Sequence, residues 1–358
     1  MKQNQPKRIT YLFGAGASIG NGKLLSDDKP TGIPVVEKFN DDIRVFLDLI
    51  DDLDIMSSGE EKMRQFNNMK IMFKGIYNEF SHMYSFDTFA KSLYEQGSHQ
   101  KLNNLKLLLK AYLLYRQEVC KSDPRYDLLF ATLINNGILP NHVNFLSWNY
   151  DTQVEKSLTR FAGNSHNGFK QFIDLGFKPQ NSIKSNLLKL NGSISVRKDY
   201  TKNYHCIETV TDDFSETILP ICEEIVALYS SEERDYLYPK MYFSWEEKER
   251  FEEVLEYSKH VISKTDILIV IGYSFPTLNR KEDMLLLKCL PDHARICIQC
   301  KDESDFKEIK SKISSLVKVS QDDVTASEND EFYREYPFKS VEFIPQSREF
   351  YVPFEFDY

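Results

Sequence analysis

Arg8-Ile9-Thr10-Tyr11-Leu12-Phe13-Gly14-Ala15-Gly16-Ala17-Ser18-Ile19-Gly20 decides the fold of this chain. Ile9 to Phe13 is short, apolar and β-branched or aromatic, the signature of a buried strand. Gly14 to Ser18 follows without a spacer. Glycines at 14 and 16 allow a tight turn and let backbone N–H groups come close to a phosphate. A helix starting next would aim its positive end at that phosphate. The stretch therefore reads as the first strand and turn of a dinucleotide-binding sheet. Its glycine spacing is G-x-G-x-x-x-G, through Gly20, one residue longer than the G-x-G-x-x-G fingerprint. An ordinary strand-to-helix turn of an α/β protein is the competing reading of these residues alone.

The chain has 358 residues, enough for one large α/β domain or two smaller ones. A hydrophobic content of 41% supports a real core. The net charge of −9 disfavours a direct nucleic-acid binder, which needs a basic face to displace counterions. No apolar run approaches the roughly 18 residues that a membrane helix needs, and the N-terminal charges lack the apolar region of a signal peptide behind them. Six scattered cysteines do not make a disulfide framework, which fits a cytoplasmic protein. Cys297-x-x-Cys300 has no second pair nearby to complete a zinc site, so strand thiols and no metal are expected.

Helical periodicity begins after Gly32-Ile33-Pro34. Val36, Phe39, Ile43, Phe46, Leu47 and Ile50 share one face of a helix over about 35–51. Residues 60 to 120 read as mainly helical, with apolar faces built on Met69, Phe73, Ile76 and Phe80, then on Leu102, Leu105, Leu108, Leu109 and Tyr112. Within them, Asp87 reads as a helix N-cap. Asp127 to Asn136 is predicted as a helix closed by Gly137. Strands follow at 141–147, 183–190, 265–271 and 294–300, with an edge strand at 341–344 and further helices at 246–263, 284–289 and 302–318. Strands alternating with helices predict a Rossmann-like doubly wound parallel sheet. A single domain over 1–358 is expected, with a largely helical insertion at about 36–136 and an irregular excursion at about 198–240.

Four predicted strand ends carry glycine or polar turns: Gly14-Ala15-Gly16-Ala17-Ser18, Trp148-Asn149-Tyr150-Asp151, Leu190-Asn191-Gly192-Ser193 and Gly272-Tyr273-Ser274-Phe275. In a parallel sheet these ends fall on one edge and converge on one crevice. With Gly32-Ile33-Pro34 and Ile271-Gly272-Tyr273-Ser274-Phe275-Pro276, this combination resembles the SIR2-like (sirtuin-like) family of NAD-consuming proteins. Ser85 to Lys91 and Phe275 to Asp283 resemble stretches of its bacterial anti-phage branch. The resemblance spans about residues 8 to 300.

The resemblance implies hydrolysis of NAD, as substrate, to ADP-ribose and nicotinamide. It also implies action as a homo-oligomer or beside a second defence protein that senses infection, such as an ATPase, a nucleotide-processing enzyme or an Argonaute-like protein. Gly14, Ala15, Gly16, Ala17 and Ser18, with Pro34, Gly192 and Ser193, would hold the dinucleotide. Gly272, Tyr273 and Ser274 would bind the adenosine half or close the floor. Asn149 would be the main catalytic residue, with Asp151 and Asn191 orienting ribose and water. The chain departs from the family in two places. It lacks the zinc module of protein-deacylating sirtuins, with its two Cys-x-x-Cys pairs, and Asn191 stands where the family usually has histidine. An amide cannot accept a proton as imidazole does, although its oxygen can hold a hydroxyl or water. Slowed or differently assisted hydrolysis is one expectation, with His205 a candidate substitute base. A pocket retained for NAD or ADP-ribose in a catalytically weakened regulatory or assembly subunit is the other.

Overall fold

The computed structural model describes residues 6–52, 60–83, 85–163, 168–175, 184–194, 241–246, 249–317, 338, 340–346 and 348–356. The predicted excursion at 198–240, including His205, lies outside them.

Among the described residues seven parallel strands form one sheet: β1 (Ile9–Phe13), β2 (Val143–Ser147), β3 (Ile173–Leu175), β4 (Ser185–Lys189), β5 (Ile267–Ile271), β6 (Arg295–Cys300) and β7 (Ser340–Pro345). Their order is β3-β4-β2-β1-β5-β6-β7, which is a doubly wound α/β sheet. β1 is central, with Phe13 level with Ser147 of β2 and with Ile271 of β5. The chain leaves β1 towards β2 and β4, then returns across it to β5. The winding therefore reverses beside β1, where open α/β sheets place their ligand crevice.

The central strands are buried on both faces, which explains their unbroken apolar runs. Leu12, Leu146, Leu188, Leu268 and Val270 pack on one face with α7 (Glu249–Ile262), α8 (Arg280–Leu287) and α9 (Glu303–Val317). Tyr11, Phe13, Phe145, Ile269 and Cys297 pack on the other with α5 (Pro124–Leu133), α6 (Gln153–Phe161) and Phe350. Cys297 and Cys300 are free thiols on β6, and burial pushes the Cys297 thiol up to about 12. α5 begins and ends earlier than its periodicity suggests. Asp123 caps it, accepting from the Arg125 N–H, and Pro124 opens its first turn.

The β1–β2 connection carries, before α5, a helical body of α1 (Val36–Asp51), α2 (Glu60–Phe80), α3 (Phe86–Glu95) and α4 (His99–Val119). Its own core includes Phe46, Phe73, Phe80, Leu108 and Tyr112, and it also takes in Ile33, Ile194 and Phe243 from loops at the sheet's C-terminal edge. One buried cation fastens this body to the first loop. Arg116 on α4 is fully buried. Its guanidinium donates to both Asp42 oxygens at 2.9 and 3.1 Å, to the Gly32 carbonyl at 2.8 Å and to the Lys23 carbonyl at 2.6 Å. Tyr112 adds a 2.6 Å hydroxyl bond to Asp42.

Removing one partner of a buried pair leaves an uncompensated charge, so Arg116→Leu is expected to lower stability by ~3–5 kcal/mol. Lys101→Ala breaks only an exposed 2.9 Å pair with Glu79, and its expected change is under ~1 kcal/mol. Urea unfolding of both variants checks the contrast.

Candidate active site

The turns after β1 and β5 are built against each other. The Gly14 N–H donates to the Ile271 carbonyl at 3.0 Å and the Gly16 N–H to the Gly272 carbonyl at 2.9 Å. A Cβ at Gly14 would stand 2.5 Å from the Gly272 oxygen, and one at Gly16 would stand 2.9 Å from the Gly272 Cα. Gly272 itself has φ +61°, and a Cβ there would meet the Ala17 nitrogen at 2.2 Å. These glycines are required by the approach of two backbones.

That corrects the expected phosphate cradle in two respects. The amides of Gly14, Gly16 and Ala17 are already bonded to backbone carbonyls, the last to Gly14 at 2.9 Å. No long helix follows either: Ala15–Ser18 is a single 3-10 turn, and α1 starts only at Val36. From this turn Ala15 and Ser18, with Ile33 and Pro34 beyond it, face a cavity of about 540 Å³, within the usual size of small-molecule sites. Gly14, Gly16 and Ala17 are not among its lining residues.

Asn149 joins β2 to this turn. Its Nδ2 donates to the Gly14 carbonyl at 2.8 Å and to the Ser18 hydroxyl at 3.1 Å. A carbonyl can only accept, so the amide nitrogen must face Gly14 and Oδ1 is the atom left for a ligand. Ser18 is held in turn by the Tyr126 hydroxyl at 3.2 Å. Asp151 also lines the cavity. Its Oδ1 accepts the Gln153 N–H at 3.1 Å, and Gln153 donates from Nε2 to the Ser18 carbonyl at 3.1 Å. Lys189 donates to the Asp151 carbonyl. Gln153 thereby ties the start of α6 to the glycine turn, while Asp151 holds the Gln153 backbone.

Asn191 follows β4. Its Nδ2 donates to the Trp148 carbonyl at 3.1 Å, and its Oδ1 is buried with no partner among the described residues. A buried acceptor left unmatched costs about 1–3 kcal/mol, so this oxygen suits a donor brought by a ligand or water. Gly192 and Ser193 lie outside the cavity wall. Gly192 takes φ +75° and closes the turn through its N–H to the Lys189 carbonyl at 3.0 Å, while Ser193 is buried.

Tyr273 turns inward. Its hydroxyl donates to Asp283 at 2.7 and 2.9 Å and accepts from Asn279 Nδ2 at 3.0 Å. Its ring stacks on Trp148 with centroids 5.9 Å apart. Burial pushes Asp283 well above the usual carboxylate range, so the Tyr273–Asp283 pair is an internal brace. Tyr273 lines the cavity together with Gly272 and Ser274.

Two wall elements are not evident from sequence. The first is Phe243-Ser244-Trp245. The Phe243 and Trp245 rings stack at 4.9 Å, and Phe86 and Tyr150 lie within 6.4 Å of Phe243. Lys106 of α4 holds this segment through a fully buried pair with Glu246 at 2.6 Å, and the Tyr150 hydroxyl donates to the Tyr242 carbonyl at 3.0 Å. The aromatic cluster is visible in the sequence, but nothing local says that it returns to this edge. The second element is Asp87. Ser85, not Asp87, caps α3, its hydroxyl accepting from the Thr88 N–H at 3.2 Å. Asp87 instead lines the cavity, and burial lifts its carboxyl to about 7. Part of its surface opens onto the cavity while protein surrounds the rest, which accounts for both its exposure and its desolvation.

The assembled wall offers fixed acceptors at Asn149 and Asn191, an aromatic flank and a carboxyl. Among the described residues no three His, Cys, Asp or Glu side chains gather as a metal site. No protein-family model matches the chain, and a search of curated proteins finds no significant match.

The interlocked turns set a stability test. Gly272→Ala would add the left-handed penalty of ~1–2 kcal/mol to an overpacking penalty of ~1–3 kcal/mol. A clearly lower urea midpoint is expected; an unchanged one would show that the two turns separate without cost.

Proposed function

We propose that this chain hydrolyses NAD to ADP-ribose and nicotinamide, as the NAD-depleting effector of a bacterial anti-phage defence system. The defence setting rests on the SIR2-like resemblance. The chemistry is supported by the cavity at the winding reversal, and above all by Asn149. That residue is bound to the glycine turn and presents an acceptor to the cavity. Cleavage of the nicotinamide–ribose bond builds positive charge on the sugar, as in glycoside hydrolysis. Nicotinamide departs as a neutral base and needs little acid assistance. Holding the ribose and a water in line can then supply much of the acceleration. Asn149 Oδ1 would accept from a ribose hydroxyl or from that water, and Asn191 Oδ1 would fix a second donor. Ala15, Ser18 and Pro34 would bound the dinucleotide on one side, with Gly272, Tyr273 and Ser274 on the other. The reaction would run in the cytoplasm, in a homo-oligomer or beside a sensing partner.

One observation favours the second reading, an NAD- or ADP-ribose-binding subunit of weakened catalysis: Asn191 occupies the position of the family's usual histidine and supplies no proton acceptor. Asn149→Ala should lower nicotinamide release by about 100-fold or more, the scale of a misplaced reactant, with the fold intact by circular dichroism. Tight NAD binding by calorimetry without turnover, and activity created by Asn191→His, would support the second reading instead. Intact NAD in the presence of the cognate partner and phage trigger would rule out the first.

A further inference from the structure

Asp87 is a carboxyl that the fold does not use. The cap of α3 is supplied by Ser85. Among the described residues nothing donates a hydrogen bond to Asp87 or pairs with it, and the nearby cations are engaged elsewhere. Lys91, one turn along α3, pairs with Glu95 at 2.6 Å and lies over the Trp245 ring at 5.0 Å. Lys106 pairs with Glu246. Lys312 of α9 pairs with Glu308 at 2.7 Å and donates to the Ser274 carbonyl at 3.0 Å. A desolvated carboxyl without a countercharge, set in a cleft, is the arrangement expected of an acid–base group. It shares the cavity with Asn149 and Asn191, and its charge is felt by Tyr150, the residue after Asn149.

We infer that Asp87 is the proton acceptor of the hydrolysis, taking over the task that Asn191 cannot perform; this rests on the NAD-hydrolysing reading above. The C1′–N bond of the nicotinamide ribose breaks and its electron pair leaves with neutral nicotinamide. A water oxygen bonds to C1′, and its proton passes to the Asp87 carboxylate and then to solvent. The balance is NAD and water to ADP-ribose, nicotinamide and one proton. The substrate assists. Its pyridinium ring is cationic, and an opposite charge beside a carboxyl favours the ionised form. Binding therefore converts Asp87 to the base that the next step needs. The aromatic flank of Phe86, Phe243 and Trp245 suits such a flat cation.

Several titratable or charged groups share the cavity with Asp87 or sit on the elements that wall it, although burial alone raises its carboxyl. They are Lys91 on its own helix, Tyr150 and Asp151 after β2, and Glu246 with Lys106. Tyr273 with its partner Asp283, Glu282 of α8 and Lys312 are further such groups; burial raises both of these carboxyls, so loss of the limb in Asp87→Asn is what assigns it. Tyr150 and Tyr273 are pushed far above neutral pH by burial, which removes them as sources of a limb near 7.

The test compares the wild-type full chain with Asp87→Asn across pH 5 to 9, using NAD and nicotinamide release. In the wild type kcat/KM should fall on the acid side of about 7. In the free enzyme, a carbon-13 titration of labelled aspartates should show a carboxyl midpoint in the same range, moved lower by bound NAD. Asp87→Asn should lose about 10²–10⁴ in kcat, the usual worth of a general base, and its residual activity should lack the acid limb. Its KM should rise as well, because a carboxylate whose ionised form is favoured by bound NAD in turn favours NAD binding, but the larger loss should fall on kcat. Wild-type turnover with an equally fast variant that keeps the limb would overturn the role of Asp87 alone. No nicotinamide release from wild type would overturn the hydrolase reading and this inference together.

Discussion

No side-chain atom fits between the turn after β1 and the turn after β5. Gly14, Gly16 and Gly272 let two backbones meet, and the amides of Gly14 and Gly16 bond across the gap. The rest of the site is referred to this contact. Asn149 reaches it from β2 through the Gly14 carbonyl, and Gln153 reaches it from α6 through the Ser18 carbonyl. The Ile33 N–H bonds to the same Ser18 carbonyl at 2.7 Å, which brings Pro34 to the cavity. Three connections far apart in sequence, after β1, β2 and β5, thus share one rigid reference, as a site needing sub-ångström placement requires.

The remaining walls are placed by buried charge. Arg116 holds Lys23, Gly32 and Asp42 together, fixing the loop that ends at Pro34. Lys106 holds Glu246, and with it the stacked Phe243 and Trp245. Both cations sit on α4, so one helix of the insertion positions two separate segments of the wall. Such pairs add little net stability over an apolar core of equal volume. Their effect here is geometric, since each cation accepts only the arrangement that satisfies all its donors.

Much of the architecture was legible in the sequence because the central strands are buried on both faces and read as continuous apolar runs. Ile9–Phe13 ends where its composition ends, and the strands near 143, 185, 267 and 295 lie within two residues of expectation. Ile173–Leu175 was not foreseen, as three residues are too few to display a period. The convergence of Asn149, Asp151 and Asn191 was foreseen from strand direction. The task of the glycines was not. A glycine that admits a phosphate and one that admits another backbone meet the same demand, a missing Cβ, and only the neighbour distinguishes them. The cap of α3 is ambiguous in the sequence for a related reason. Serine and aspartate cap helices about equally well, so the choice between Ser85 and Asp87 depends on where tertiary packing starts α3.

The glycine turn also has an underside. Arg125 of α5 donates to the Gly16 and Ala17 carbonyls at 3.2 and 3.3 Å, and its guanidinium lies 4.7 Å from the Phe350 ring centre. Phe350 also packs against Phe13 and Tyr126, with centroids 5.7 and 5.0 Å apart. Residue 350 is thus a wedge beneath residues 13 to 17. Withdrawing it would uncover the Phe13 and Tyr126 rings and one side of the guanidinium, which the Asp123 carboxylate would still hold at 2.7 Å. The packing of the C-terminal segment and the support of the glycine turn are therefore one contact surface.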